Sequence, residues 1–501
     1  MAIPRIFFPD LDHGDEFSDA NVLNAGQNFV KFGFIKCRFL PMFEPQANEP
    51  QQLYTHYPPL PDIINGIVRI IFKTDSLYLF RCISLLFAFG GLVFWYLFMK
   101  KLSGSNLLGF LCTIFFMANP TFIFVMDSLH ESSYSEFLRA LILFAFMVYL
   151  NSRKNRKTLL FFLWILIVLE SLVTFEYMIY LSLFFVLFKM MYKFTKNSIS
   201  WKEIAVLLSA PVFAFLVHFL QNVWYFGSFS SAYQDLRAIA TQRIIDSKDS
   251  AIALNFFNWA RFAFLQNFSL VFIFDFFVLL LMFFCGRLLF NMINSEVIRK
   301  RMVSSVYLGF IFAICGISWY IFFPAHSIAH AQLLFLSRHL LPLASLAFGS
   351  LFYIVLTAVR KNYMHNYFIK ALAAIIIPIT LFISISRSNL PIASDKIKWG
   401  RDFPAFKNCL LDLKKTSAEN DAVGVNYFRF PFIRYYINRH CSVIFDRKSL
   451  EQLAVLPRYF IFFPYNDLPS NELFQFLKEK YTFLFQCESL RFPAVFCKLN
   501  D

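Results

Sequence analysis

Two neighbouring carboxylates near the start of the chain, Asp15 and Glu16, have the chemistry of a catalytic pair. Adjacent side chains on a helix or strand point in different directions, so the two should have different roles. One could act as a general base on an acceptor hydroxyl or amine, while the other orients the acceptor, binds a cation or caps the following helix. The plain alternative is an acidic helix start, which the helix dipole favours.

A second motif, Tyr-Thr-His-Tyr-Pro-Pro-Leu at residues 54–60, follows about forty residues later. Tandem prolines fix the backbone, and Tyr54 and Tyr57 suit the headgroup region of a membrane. His56 could donate to a phosphate or ligate a metal. Because carboxylates near a phosphate invite a divalent cation, Asp15, Glu16 and His56 are the candidates for a metal site. The alternative is an aromatic, proline-rich surface turn.

Further candidates lie where apolar stretches meet polar loops. Arginine offers a rigid fork for phosphate oxygens, although such residues also reach from a helix end to the membrane surface for solubility alone. Acidic and histidine side chains in a short loop could complete an acceptor or metal site, or simply be solvated. These candidates are Arg81, Arg338 and His339 among the cations, and Asp127, His130 and Glu131 in one loop.

The composition places these residues in a membrane protein. The chain has 501 residues, of which 58% are hydrophobic and 16% charged, and its mean hydropathy is +0.55. Soluble domains carry about a quarter charged residues, so a soluble protein is excluded. The net charge of +15 could indicate nucleic-acid binding, but the basic residues are spread over alternating loops instead of one soluble face.

Membrane-spanning helices need about 17–25 apolar residues each. We predict ten spans, and we split the apolar stretch 158–192 because Glu170 and Glu176 interrupt it. Asp275 lies inside one span and is a functional candidate without a partner. The predicted spans are 77–99, 106–126, 134–150, 158–175, 176–192, 204–224, 262–285, 303–323, 338–358 and 368–387.

Lys and Arg residues occupy alternate connections, near residues 100–101, 153–157, 189–202, 287–301 and 360–370. The positive-inside rule therefore predicts that these connections are cytoplasmic and that residues 1–76 and 388–501 face outward. Residues 1–12 contain no apolar signal-peptide core. The chain either inserts with its N-terminus outside unaided or is preceded by a further helix, and we favour the second.

Three domains follow: an outer loop at 1–76, a transmembrane domain at 77–387 and an outer α/β domain at 388–501. The first should contain two helices lying in the membrane interface, at 19–32 and 63–72. In the third, strands are expected at 422–426, 442–445 and 459–463, and helices at 406–415 and 471–480. Cys487 and Cys497 could bridge a hairpin there, but free thiols are the preferred interpretation.

These motifs together resemble the GT-C superfamily of integral-membrane glycosyltransferases, and within it the protein O-mannosyltransferase branch (glycosyltransferase family 39) with its bacterial aminoarabinose lipid A transferase relatives. The order of the motifs carries the resemblance, and a small C-terminal soluble domain is also similar. The matching segments are the Asp15-Glu16 pair, Pro58-Pro59-Leu60, Arg81, Ser337-Arg338-His339-Leu340-Leu341-Pro342 and Arg434-Tyr435-Tyr436-Ile437-Asn438-Arg439. The family has a span before its Asp-Glu loop, which this sequence lacks.

The resemblance implies a polyprenyl-phosphate sugar donor, a lipid, glycan or protein acceptor, and inverting transfer with Asp15 as base beside Glu16. It places His56, Arg81, Arg338 and His339 around the donor phosphate, and it implies a bacterial inner membrane with a periplasmic active site. It leaves the sugar and the acceptor open.

Two other functions remain open from the sequence. One is a transporter or flippase of lipid-linked sugars, although we find no internal repeat of the kind typical of transporters. The other is a non-catalytic assembly protein that presents its C-terminal domain. No phosphate-binding loop or dinucleotide fingerprint is present, as expected if the donor is lipid-linked.

Overall fold

A computed structural model of the chain describes residues 16–44, 52–152, 154–191, 199–244, 296–323, 338–360, 389–427, 431–464, 468–488 and 493–500. The predicted spans 262–285 and 368–387, together with Asp15 and Asp275, lie outside these residues. The described helices are α1 Glu16–Phe32, α2 Leu60–Phe72, α3 Leu77–Ser103, α4 Asn106–Ala118, α5 Pro120–Val125, α6 Ser132–Asn151, α7 Arg156–Val173, α8 Glu176–Met191, α9 Trp201–Phe226, α10 Phe229–Ile244, α11 Glu296–Phe322, α12 Leu341–Arg360, α13 Asn389–Thr416, α14 Pro431–Ile437, α15 Arg447–Glu451 and α16 Leu468–Lys480. The strands are β1 Val423–Val425, β2 Cys441–Val443, β3 Tyr459–Phe462, β4 Tyr481–Glu488 and β5 Pro493–Leu499.

The chain is mostly helical, and three of the described helices are long and apolar enough to cross a membrane: α3, α6 and α9. Their outward faces carry exposed hydrophobic side chains such as Leu86 and Leu220, as expected for helices whose solvent is lipid. Their inward faces form one aromatic-rich core, in which Trp95 donates a 2.9 Å hydrogen bond to Ser345 on α12. The count of ten spans stays a prediction.

Two helix breaks shape the bundle. The predicted break inside 158–192 is present, because α7 ends at Val173 and α8 begins at Glu176. A second break divides the span predicted at 106–126. There, the side chain of Asn119 accepts from the backbone of Thr121 and Pro120 occupies the first turn of α5, so a new short helix begins.

Two basic connections lie at the same end of the bundle. Arg156, at the start of α7, makes two hydrogen bonds of 2.9 and 3.0 Å to Glu203 in the first turn of α9. A fork-to-carboxylate contact of this kind requires both helix starts to lie at one membrane face. This agrees with the loop assignment made from the positive-inside rule for 153–157 and 189–202.

The two helices within residues 1–76, the segment predicted to face outward, differ from the expected interfacial pair. α1 is not surface-lying: Val22, Ala25 and Phe29 are buried, because the helix packs against both α2 and α14. α2 has its apolar side outward, with Ile70 and Phe72 exposed. Its inward side is polar and carries Asp62, Asn65 and Arg69. Such an arrangement suits a helix that lies on lipid.

The C-terminal residues form one five-stranded sheet in the order β2-β1-β3-β5-β4. β1 pairs in parallel with β2 and β3, and these three strands coincide with the three predicted from sequence. β5 pairs antiparallel with both β3 and β4. α13 and α14 cover one face of this sheet, and their core continues into α1. The sheet therefore supports the helix that begins at Glu16.

Candidate functional site

The site is built around a turn at residues 127–131, between α5 and α6. One carboxylate oxygen of Asp19 on α1 accepts from the backbone of Leu129 at 2.7 Å, from the backbone of His130 at 3.1 Å and from the hydroxyl of Ser128 at 3.0 Å. A single buried side chain thus caps the turn and fixes α1 against it. Because α1 begins at Glu16, this contact positions the helix that follows Asp15.

The second oxygen of Asp19 lies 3.6 Å from the guanidinium of Arg81 on α3. Arg81 also donates to the backbone carbonyl of Asp127 at 2.9 Å and lies 3.4 Å from its carboxylate. All three side chains are buried. Two carboxylates of this chain therefore compensate the charge of Arg81, and its expected contact with a donor phosphate stays a prediction.

Arg338 occupies an equivalent place beside α12. It donates to Glu131 from the turn, to Glu176 at the start of α8 at 2.5 Å, and to the hydroxyl of Ser132 at 2.5 Å. His339 lies 2.9 Å from the same Glu176 carboxylate. Three segments that are distant in sequence, at residues 131–132, 176 and 338–339, meet at this arginine, which is fully buried.

A further polar layer lies directly against this arginine. Arg139 on α6 donates to Glu136, to the backbone carbonyl of Arg338 at 3.2 Å and to the hydroxyl of Tyr177 at 3.1 Å. Tyr177 in turn donates to Glu136 at 2.8 Å. Neither Glu136 nor Arg139 was singled out from the sequence.

The Pro-Pro motif is held by α9 and α10. Thr55 donates to Asp235 at 2.7 Å, and its carbonyl oxygen accepts from Asn222 at 3.2 Å and lies 2.9 Å from a ring nitrogen of His218. His218 on α9 therefore contacts the loop that carries the Pro-Pro motif. α10, which the sequence analysis missed, folds over the motif.

The guanidinium of Arg243 on α10 lies against this motif. It lies 4.2 Å from the centre of the Tyr57 ring and donates to the carbonyl oxygen of His56 at 3.1 Å. Arg243 is half-buried, unlike Arg81 and Arg338. The ring of His56 lies against that of Tyr54 in a tilted arrangement, with ring centres 4.8 Å apart. Burial lowers the pKa of His56, so its imidazole is neutral at neutral pH.

Asp62, on the inward face of α2, is a second carboxylate that the sequence did not single out. It is 5% exposed, and its Oδ1 atom has no hydrogen-bond partner among the residues that the structure describes. Burial raises the pKa of Asp62 to about 7, and the charge of nearby His130 lowers it only in part. Asp62 therefore changes protonation near neutral pH, whereas Asp19, Asp127 and Glu131 each face an arginine.

The described candidates converge at one end of the helical bundle, where His130 and Tyr57 have ring centres 6.2 Å apart. Asp15 and the side chain of Glu16 lie outside the described residues, so their roles stay predictions. Within the described part of the chain, no three His, Cys, Asp or Glu side chains are grouped to hold a metal ion. A neutral His56 retains the form that binds a metal, so the metal prediction also stays open.

Comparison with known proteins shows the fold. No family model matches the sequence, and no curated protein is significantly similar to it. Among solved structures, the chain is similar to ArnT from Cupriavidus metallidurans bound to undecaprenyl phosphate, with a TM-score of 0.57, 11% identity, and coverage of 99% of this chain and 96% of that one. ArnT in the apo state gives a TM-score of 0.54 at 10% identity, covering 99% and 95%. This chain therefore has the fold of the GT-C glycosyltransferases.

Proposed function

We propose that the protein is a membrane glycosyltransferase that moves a sugar from a polyprenyl-phosphate donor to an acceptor at the outer face of the membrane. The observation that carries this proposal is the convergence of α1, the Pro-Pro motif, the 127–131 turn and the start of α12 at one end of a GT-C fold. Support for a lipid donor comes from ArnT, whose structure holds undecaprenyl phosphate.

Cations govern the chemistry of the donor. A departing polyprenyl phosphate already carries negative charge, so it needs positive groups around it and no general acid. Arg243 supplies this charge at the Pro-Pro motif, where its guanidinium is half-buried beside His56. Arg81 and Arg338 lie one layer deeper, where they fix the 127–131 turn through the carboxylates of Asp127 and Glu131. His339 lies beside them and contacts Glu176 at the start of α8.

Asp15 is the proposed base. It would remove the proton from the acceptor hydroxyl or amine as that atom attacks the anomeric carbon from the face opposite the phosphate, which inverts the configuration. Glu16, Tyr54, Tyr57 and His130 would orient the acceptor. Asp19 positions this segment, because its carboxylate ties α1 to the backbone of Leu129.

The remaining assignments belong to the same proposal. Residues 1–76, 77–387 and 388–501 form the outer loop, the transmembrane domain and the outer α/β domain of a bacterial inner-membrane protein. The acceptor is a protein hydroxyl, lipid A, another lipid carrier or a surface polysaccharide. If a divalent metal is required, Asp15, Glu16 and His56 are its ligands, and treatment with a chelator would then abolish transfer.

The test is transfer by pure protein in liposomes that contain a polyprenyl-phosphate-linked sugar, followed as release of polyprenyl phosphate. Asp15→Asn should abolish release while the protein stays folded. Asp412→Asn, which alters an exposed carboxylate paired with Lys415, is the matched control and should retain wild-type turnover. Near-normal turnover of Asp15→Asn removes the base from the proposal.

Mass spectrometry of glycolipids and glycoproteins from cells with and without the gene identifies the acceptor. A glycan that loses one sugar in the deleted strain supports the proposal. Movement of a labelled lipid-linked sugar across liposomes by the pure protein, without sugar transfer, would instead establish a flippase.

A further inference from the structure

The cysteines of the C-terminal domain are not arranged as the hairpin suggests. β4 and β5 do form an antiparallel pair, but Cys487 lies opposite Ala494, whereas Cys497 lies opposite Phe483 and Phe460. Cys487 and Cys497 are therefore not cross-strand neighbours. Cys497 belongs to the core on the other face of the sheet, together with Leu473 and Leu477 of α16.

Cys487 instead meets a cysteine from a helix. It is buried on the sheet face that α13 covers, and Cys409 of α13 packs against the same cluster. The side chains of Cys409 and Cys487 are within hydrogen-bonding contact of each other. α13 is held over this face by Phe406, whose ring centre lies 6.4 Å from that of Phe496 on β5.

We propose that Cys409 and Cys487 form a disulfide that joins α13 to the edge strand β4. The pairing requires no change of register, because the two thiols already touch in a packed core. The inference does not depend on the transfer reaction. It depends on the predicted outer location of the domain, because disulfides persist in oxidising compartments and are rare in the cytosol.

The reaction is a thiol–disulfide exchange with an external protein disulfide, such as that of a periplasmic oxidoreductase. Cys409 is partly exposed, so its thiolate attacks the incoming disulfide and forms a mixed disulfide. The thiolate of Cys487 then attacks the sulfur of Cys409 and releases the oxidant as a dithiol. The two cysteines lose two protons and two electrons, and the oxidant gains them.

The location of the bond gives it a structural effect. β4 is one of the two edge strands of the sheet, and the unpaired backbone of an edge strand can shift in register or pair with another chain. A bond from α13 to β4 encloses the chain between residues 409 and 487, which includes β1, β2 and β3. The same core contacts Ala20 and Leu23 of α1, so the staple would stabilise the layer beneath the candidate site.

The test uses the full-length wild-type protein in native membranes. Free thiols are alkylated before solubilisation, and the protein is digested without reductant and analysed by mass spectrometry. We expect a cross-linked peptide pair that contains Cys409 and Cys487, converted to two free peptides by a reductant. Recovery of both cysteines as alkylated thiols overturns the proposal, and so does a Cys487–Cys497 cross-link.

Two variants provide the controls. Cys497→Ser should keep the cross-link, because Cys497 faces the opposite side of the sheet. Cys409→Ser should abolish it and leave Cys487 alkylated after denaturation. A reductant should lower the Tm of the wild type but not that of Cys409→Ser; an equal response of the two proteins would contradict a staple.

Discussion

The carboxylate of Asp19 and the guanidinium of Arg81 lie 3.6 Å apart in the interior of the protein, and both side chains are at most 1% exposed. The pair joins α1 to α3, and Asp127 completes it from the 127–131 turn. A charge buried this deeply is tolerated because its partners compensate it. Arg81 therefore has a structural role, and the donor-binding role expected of it stays a prediction.

Substitution of Arg81 should lower the stability of the protein, apart from any effect on substrate binding. Arg81→Ala removes the guanidinium that lies beside the buried carboxylates of Asp19 and Asp127, and breaking such a buried pair costs roughly 3–5 kcal/mol. We expect a lower Tm in detergent and loss of monodisperse protein, with Arg81→Lys less affected. An unchanged Tm for Arg81→Ala would show that the pair contributes no stability.

Arg243 should matter for the donor more than for stability. Its guanidinium is half-buried and stacks on Tyr57, so Arg243→Ala should weaken binding of a polyprenyl phosphate with little change in Tm. Arg237→Ala, an exposed arginine of the same helix, is the matched control. The measurement is donor KM in liposomes, with an expected rise of about tenfold from the loss of a charge-assisted contact. Equal KM values for the two variants would remove Arg243 from the donor site.

Asp62 should make stability depend on pH. Its pKa is about 7 in the folded protein and 3.8 when unperturbed, so the folded state binds the proton more tightly. Between about pH 4 and 7 the unfolded chain ionises while the folded chain does not, and stability falls as pH rises. Asp62→Asn lacks this ionisation. Its Tm relative to wild type should rise through this window and level off above pH 7; a constant difference would place Asp62 in solvent.

Close packing of α12 against α4 should not tolerate one added methyl group. A Cβ at Gly349 would lie 2.7 Å from the backbone nitrogen and Cα of Cys112. Gly349→Ala therefore has to separate the two helices, at a typical overpacking cost of about 1–3 kcal/mol. Ser350→Ala removes a buried hydroxyl that has no hydrogen-bond partner within the described part of the chain, and it should be neutral or stabilising in the same Tm measurement.

The long helices and the break between α7 and α8 could be predicted from the sequence, because long apolar stretches and the interrupting glutamates are visible within one segment of the chain. The sequence analysis read 106–126 as one helix, although Asn119 followed by Pro120 is a helix-start signal. It also missed β4, whose residues alternate only weakly in burial. The parallel strands β1 to β3 were found because they are short, apolar and fully or partly buried.

The candidate site was predicted in its parts but not in its connections. Arg81, Arg338 and Glu131 could be suspected from their positions at helix ends. Their partners Asp19 and Glu176 could not, because contacts between residues 19 and 81, or 176 and 338, have no signature in the spacing of one sequence. The burial of Asp62 could not be predicted for a different reason: aspartate is common in the first turn of a helix, so its presence there does not indicate a special role.

The reversed polarity of α2 has a consequence for how the protein assembles. The helix buries Val68 in the core but leaves Ile70, Ile71 and Phe72 exposed on its outer side, so in water it gains only part of the available hydrophobic stabilisation. Acyl chains that cover its isoleucines would supply the rest, and α1 packs directly upon it. The lipid leaflet would then cover the outer side of α2 as another layer of protein would. In protein stripped of lipid by a harsh detergent, α1 and α2 should lose their order first.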